Sequence, residues 1–507
     1  MSIGRQHSFD SKLNTLFVCC KRIHEQSCSY TQWNNKSTTN NTMSKSTFKI
    51  INPYTEQVEK EYPYHSVDES MQLLDKADQA FHSVWKKKDV SERAQLLLKS
   101  AEILESRKSE IAKLACVEMG KPLTSSEGEI DYCIQILKYY GENAARFLED
   151  QSISEIEHGE AYVTHEPLGV LLSVQPWNFP FSQLIRFAAP NIATGNTILM
   201  KPTTAVYQCA LAIQKVFVDA GLPEGVYNTF AIDTDEIEAI VADKRVRGVM
   251  LTGSEKAGAS IAALAGRYLK KSVLELGGSD PLIVLEKADL DKATKGIVQG
   301  RLENSGQVCT SSKRIIVVES VYEQIEAKVK AAMAKVKIGD PLESDTEFGP
   351  MSSERQMDTV LKQIKETENN GATLLAGGKR LEQKGFFIAP TLFSNVKKGQ
   401  PAYDEEIFGP VIALIKVKDD EEAINVANDS HFGLGSTIFC EDIPHAKSVA
   451  KRIDAGMVFI NRPTTSSPQL PFGGVKNSGY GRELSWLALT EFANQKLVRV
   501  TDIEAPY

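Results

Sequence analysis

From about Val170 onward the chain alternates short apolar runs with helical stretches, a rhythm few architectures can accommodate. Segments 170–174, 197–200, 226–230, 249–251 and 281–284 read as strands, and 205–220, 236–242 and 256–270 read as helices between them. Strands joined through a helix run parallel, and a parallel sheet needs helices on both faces, so its strands are apolar throughout. The rhythm resumes after Lys313: strand 314–318 leads into helix 321–336, and strand Val411–Val417 into helix 421–427. This predicts an α/β chain with two lobes. Ahead of them, Ser66 with Glu69 three residues on forms a capping-box signal, followed by Leu74, Ala77, Phe81 and Trp85 at helical spacing. Another helical pattern covers 91–119 and stops at Gly120 and Pro122.

The 507 residues are enough for about three structural units. With 58 Lys+Arg against 66 Asp+Glu the net charge is −8, which lacks the basic footprint of a nucleic-acid or anionic-membrane binder. No apolar run approaches the ~20 residues of a membrane span. The eight cysteines are scattered without C-x-x-C or Cys/His spacing, which argues against a disulfide framework or a metal site and suits a reducing compartment. Residues 1–45 differ: rich in Ser, Thr and Asn, basic and poor in acids, they read as a poorly ordered leader. An organellar presequence and an upstream start ahead of Met43 are the two explanations for it.

Four segments can carry chemistry. Cys309 ends Glu303-Asn304-Ser305-Gly306-Gln307-Val308-Cys309, outside any apolar helical pattern. An isolated cysteine is more often a buried structural thiol, but a loop of small polar residues is where a nucleophile is accessible. Glu275 interrupts an apolar run that ends in Gly277-Gly278. A carboxylate there is either structurally satisfied or a general base with a raised pKa, and the paired glycines favour the base. Pro176-Trp177-Asn178-Phe179-Pro180 is a rigid turn after a strand. It is a packing turn or one that holds the Asn178 amide as an oxyanion donor. Thr252-Gly253-Ser254, with Gly258 beginning the next helix, is a strand-to-helix turn able to face a pyrophosphate, though it departs from G-x-G-x-x-G. Lys201, at the end of its strand, is placed to reach ribose or phosphate oxygens.

Together these residues closely resemble the aldehyde dehydrogenases. Pro176–Pro180, Lys201-Pro202, Thr252–Ser254 with Gly258, Glu275–Gly278, Gly306–Cys309, Glu405-Glu406-Ile407-Phe408-Gly409-Pro410 and Pro471-Phe472-Gly473-Gly474 occur in that family's order and spacing, from about residue 48 to the C-terminus. Leu274–Pro281, Gly300-Arg301 and Gly479–Ser485 look most like the bacterial-type succinate-semialdehyde dehydrogenases that use NAD or NADP. The resemblance implies a Rossmann-like cofactor domain (47–276, with an oligomerisation hairpin at 150–166), a catalytic domain (277–470), and a return to the cofactor domain with an oligomerisation strand (471–507), after the 1–46 leader. It implies a homodimer or homotetramer acting on a small aldehyde. A cytoplasmic location follows, or a mitochondrial one if residues 1–45 act as a presequence.

By the same resemblance Cys309 attacks the aldehyde, Asn178 and the Cys309 N–H hold the oxyanion, hydride passes to nicotinamide, and Glu275 activates the water that hydrolyses the thioester, with no metal. Trp177, Lys201, Thr204, Gly253, Ser254, Gly258, Leu276, Glu406 and Phe408 would bind the cofactor. Thr204 stands where NAD-preferring relatives often carry a glutamate, so a 2′-phosphate should be accepted. Arg186 matches a family position that binds the distal carboxylate of succinic semialdehyde, against the alternative of a surface or interdomain salt bridge. Arg301, Ser466 and Ser467 would assist, while Glu303 would repel a carboxylate if it faced the pocket. Acyl transfer to coenzyme A is disfavoured because acylating relatives generally lack a glutamate at the position of Glu275. The competing readings are a dehydrogenase of a neutral or cationic aldehyde and a non-catalytic structural protein on the same fold.

Overall fold

A computed structural model describes residues 46–504. The leader expected over residues 1–45 lies outside the described residues, and the unit described below is 47–507 up to Glu504.

The first strand–helix series forms a six-stranded sheet in the order Gly479–Tyr480, Lys271–Glu275, Val246–Thr252, Val170–Gln175, Thr197–Pro202, Tyr227–Thr229. All neighbours are parallel except Gly479–Tyr480, which pairs antiparallel with the end of Lys271–Glu275. Val170–Gln175 is central and nearly all buried, as a strand covered on both faces must be. From it the chain first adds strands on one side, through Thr197–Pro202, and then on the other, through Val246–Thr252. The order therefore reverses between Val170–Gln175 and Val246–Thr252, and a ligand crevice opens at the carboxyl ends of two such strands. The Pro176–Pro180 and Thr252–Ser254 turns sit at that edge.

The later elements form a seven-stranded sheet in the order Thr373–Ala376, Thr391–Ser394, Val411–Val417, Ser312–Val318, Asp280–Val284, Thr437–Phe439, Phe459–Ile460, antiparallel only at its Thr373–Ala376 edge. Sheet membership changes between Glu275 and Asp280, across the Gly277-Gly278 pair. A third sheet joins Ala493–Val500, Glu160–Pro167 and Gln151–Ser152, and its outer strand exposes Leu497 and Val500.

The Ser66–Glu69 capping box is formed, with Ser66 N donating to Glu69 Oε2 and Glu69 N to Ser66 Oγ. The pattern over 91–119, read as one helix, is two: Val90–Ser106 and Lys108–Met119, broken at Arg107 (φ −112°, ψ 12°). The break leaves the apolar spacing intact, because Leu97, Ala101 and Leu104 before it and Ile111, Ala112 and Ala115 after it enter the same core. Gly120 closes the second helix at φ 78°, where its N–H reaches the Cys116 carbonyl. No helix among the described residues is long and apolar enough to cross a membrane.

Candidate active site

Cys309 is held at the end of a backbone turn in which Asn304, Ser305 and Gly306 have φ of 49°, 57° and 74°. Two non-glycine residues in the left-handed region are costly and persist only when their surroundings hold them. The polar side chains of the motif do this. Asn304 Nδ2 donates to the Asn178 carbonyl (2.9 Å), Ser305 Oγ to the Gly349 carbonyl (2.7 Å), and Gln307 Nε2 to the Asn304 carbonyl (3.1 Å), while Gln307 Oε1 accepts from Ser352 N (2.9 Å). A Cβ on residue 306 would meet the Gly409 carbonyl oxygen at 2.2 Å, so only glycine fits there.

Arg301 lies beneath this turn with no exposure. Its guanidinium donates to the carbonyls of Val411 (2.5 Å), Gly306 (3.1 Å) and Ile407 (2.7 Å) and to Ser311 Oγ (2.9 Å). The expectation that Arg301 would reach a substrate is corrected: its donors are committed to the nucleophile turn and the Ile407–Val411 segment.

Asn178 is buried and oriented from both ends of its amide. Nδ2 donates to the Gln307 carbonyl (2.9 Å), and Oδ1 accepts from Gln183 Nε2 (3.2 Å). An amide nitrogen carries two hydrogens, so one remains beyond the Gln307 bond. The following helix, Ser182–Thr194, is fixed at its start by Glu129, whose Oε1 accepts from Phe181 N (2.9 Å) and Ser182 N (2.8 Å). Lys121 pairs with the other oxygen of Glu129 and stands 3.9 Å from the Phe179 ring centroid.

Cys309 borders two cavities. One, of about 210 Å³, is lined by Trp177, Asn178, Thr252, Gly253, Ser254, Leu276, Gly277, Glu406 and Phe408, among others. Trp177 and Phe408 meet edge to face at 5.7 Å. A Cβ on residue 277 would come within 2.4 Å of Glu406 Oε2, so the glycine lets this carboxylate close on the backbone. Glu406 Oε1 accepts from Gly278 N (3.1 Å). The Thr252 hydroxyl is buried without a partner. Aromatic walls, a glycine turn at a helix start, a carboxylate for hydroxyl groups and an unpaired hydroxyl suit a dinucleotide.

Lys201, at the carboxyl end of its strand, and Thr204, on the Thr204–Val206 turn, lie beyond this lining. Burial lowers the Lys201 pKa, with Asp233 opposing. Gly258 differs from expectation. It is packed under Leu276, where a Cβ would meet Leu276 Cδ2 at 2.5 Å, so it lets the Glu255–Arg267 helix approach the sheet and is not on the lining.

The other cavity, of about 370 Å³, is lined by Glu129, Tyr132, Phe179, Gln183, Arg186, Glu303, Ser466 and Phe472 besides Cys309. Arg186 stands at this wall but is paired with Glu483 at 2.5 Å, and its guanidinium lies 4.3 Å from the Phe472 ring centroid. It thus stands at the cavity wall and in a salt bridge that is buried, not the surface or interdomain pair weighed against substrate binding. Its Nε has no partner. Ser466 lines the cavity, whereas Ser467 donates to Gln469 and does not. Glu303 does face this cavity. Tyr132, with a buried hydroxyl lacking a partner, was not anticipated. Its spacing from Ser125 and Glu129 on the Leu123–Phe147 helix is the signal that could have found it.

Glu275 is buried, and neither carboxylate oxygen has a partner. Burial and then the charge of Glu483 push its pKa well above the ordinary carboxylate value, opposed by Arg186 and Arg482. Its Oε1 is 2.8 Å from where a Cβ on residue 473 would stand, so Gly473 leaves it room. Burial raises the Cys309 thiol to about 11, with Lys313 and Arg186 pulling it back. Glu275 is on the lining of neither cavity, whereas Cys309 is on both. A neutral thiol and an unpaired carboxylate are the groups that nucleophilic attack followed by base-assisted hydrolysis requires.

Comparison with known proteins agrees with this geometry. Residues 40–498 match the aldehyde dehydrogenase family. The chain is 46% identical over 452 residues to an NADP(+) succinate-semialdehyde dehydrogenase of Deinococcus radiodurans, covering 89% of this chain and 94% of that protein. It is 42% identical to a probable NADP(+) succinate-semialdehyde dehydrogenase of Synechocystis, covering 88% and 98%. The crystal structure of succinic semialdehyde dehydrogenase from Streptococcus pyogenes with NADP+ superposes with a TM-score of 0.88 at 41% identity, covering 90% of this chain and all of that one. With the nucleophile turn, the paired cavities and these relatives in agreement, the chain belongs to the aldehyde dehydrogenase family.

Proposed function

We propose that this enzyme oxidises succinic semialdehyde to succinate with NADP+ or NAD+ as oxidant. The observation that carries the reading is that Cys309 borders both cavities, one suited to a dinucleotide and the other walled by Arg186 and Ser466. Asn178, Trp177, Ser254, Leu276, Glu406 and Phe408 would hold the nicotinamide half, with Lys201 and Thr204 toward the adenosine ribose. When bound, the cofactor supplies the hydride acceptor.

The chain's own residues do the rest. As its thiol proton passes to solvent, Cys309 Sγ adds to the aldehyde carbon, and the oxyanion formed takes the free Asn178 N–H and the Cys309 backbone N–H. After oxidation the carbon is held as a thioester on Cys309. Glu275 takes a proton from water as the water adds to that carbon, and the thiolate leaves. Arg186 meets the distal carboxylate only by turning part of its guanidinium from Glu483, for which its unpaired Nε is available.

Glu303 at the same cavity favours a second reading, oxidation of a neutral or cationic aldehyde. Initial rates of NAD(P)H formation with succinic semialdehyde, butyraldehyde and betaine aldehyde, each with both cofactors, separate the two. Preference for succinic semialdehyde, lost in Arg186→Ala with the butyraldehyde rate kept, supports the first. Equal or faster rates with the uncharged or cationic aldehydes establish the second.

The Glu160–Pro167 and Ala493–Val500 strands, with Leu497 and Val500 exposed, support a homodimer or homotetramer assembled through this sheet. Relatives of bacterial type support a cytoplasmic enzyme. Sedimentation velocity and fractionation test these two points.

A further inference from the structure

Lys313 is the second residue of the Ser312–Val318 strand that follows the nucleophile turn, and its side chain is buried, turned back beneath that turn. Its ammonium donates to the carbonyls of Val308 (2.8 Å) and Cys309 (2.6 Å) and stands 3.0 Å from Glu406 Oε1. Those three acceptors match the three donors of an ammonium. Two belong to the peptide units that carry Cys309, and the third belongs to the carboxylate at the wall of the dinucleotide cavity. Phe408, on the same wall, has its ring centroid 5.8 Å from the ammonium. The remaining charged neighbour is Asp280, whose carboxyl burial raises to about 7 while Lys313 opposes the rise. Lys313 is also the largest favourable charge acting on the Cys309 thiolate.

We propose that Lys313 is a positioning residue that transmits occupancy of the dinucleotide cavity to the nucleophile. Glu406 shares its Oε1 between Lys313 and Gly278 N. Ribose hydroxyls that take this carboxylate weaken its hold on Lys313. The ammonium's charge is then less neutralised, and it acts more fully on the Val308–Cys309 carbonyls and the sulfur beside them. Filling the cavity thus makes Cys309 more acidic and better fixed. Arg301 cannot do this, since its donors go to backbone carbonyls and Ser311 and to no side chain lining the dinucleotide cavity.

This inference rests on the roles proposed above for Glu406 and Cys309. The test is the rate of iodoacetamide alkylation of Cys309 at one fixed pH, with and without saturating NADP+, in wild type, Lys313→Met and Glu406→Gln. Saturation of each protein is verified by calorimetric titration. The wild-type rate is expected to rise by about tenfold on nucleotide binding, equivalent to about one pKa unit, and the response to fall below about twofold in both variants. Lys313→Met is also expected to lower kcat more than it raises KM for the aldehyde, a split that loss of general stability does not produce.

A wild-type nucleotide response retained in Lys313→Met, or no response in wild type, overturns the proposal. If Lys313→Met does not fold, Glu406→Gln decides: loss of the response supports the link and its retention overturns it. Failure of wild type to reduce either dinucleotide with any aldehyde would instead overturn the functional reading.

Discussion

Asn178 Nδ2 lies 2.9 Å from the Gln307 carbonyl, so the oxyanion donor is tied to the turn that carries Cys309 and cannot drift from it independently. The tie is mutual, since Asn304 Nδ2 returns a bond of 2.9 Å to the Asn178 carbonyl. Removing the donor in Asn178→Ala should lower kcat by about 10²–10³-fold. Gln183→Leu, which frees the far end of the amide, should cost less. Steady-state kinetics checks this order, and a larger loss in Gln183→Leu would show that Asn178 is not the principal donor.

Gly306 combines a φ of 74° with a carbonyl oxygen 2.2 Å from any added Cβ. Gly306→Ala should lose roughly 1–3 kcal/mol of stability, because both backbone strain and a shift of Gly409 are required. Urea unfolding followed by circular dichroism reads the loss, and an unchanged midpoint would mean the turn adapts freely.

Burial raises the Cys309 thiol to about 11. The thiolate is the reactive form, so alkylation should accelerate by about tenfold per pH unit through the neutral and mildly alkaline range. A plateau reached near neutrality would show that the sulfur is already ionised.

On the function proposed above, Thr204 would leave the 2′-phosphate of NADP+ unopposed, whereas a carboxylate at that position would repel it. Thr204→Glu should raise KM for NADP+ by about tenfold or more and change that for NAD+ far less. Equal changes for both would place Thr204 away from the ribose.

Much of this was legible in the sequence because strand–helix alternation and glycine turns are local signals. Val170–Gln175, Thr197–Pro202 and Val246–Thr252 emerge within a few residues of the strands expected there, whereas the Lys271–Glu275 strand was not anticipated. Cys309, Asn178 and Glu406 meet in one centre as their motifs implied. Hydrogen-bond destinations were not legible. Arg301 is turned inward by four acceptors, three of them backbone carbonyls of distant or irregular segments, and no spacing rule records those. Gly258 was misread because the Leu276 side chain, brought over it by the sheet, decides what that glycine touches. The pairing of Arg186 with Glu483 joins residues nearly three hundred positions apart and is a property of the folded chain alone.

The central claim is a covalent intermediate on Cys309 released by a base at Glu275. Mixing Glu275→Gln with NADP+ and succinic semialdehyde, quenching in acid and digesting for mass spectrometry tests it directly. The account predicts about one equivalent of NADPH per active site, a succinyl group on the peptide containing Cys309, and turnover reduced by at least about 10²-fold. Full turnover with no adduct, or an adduct on another cysteine, would contradict it.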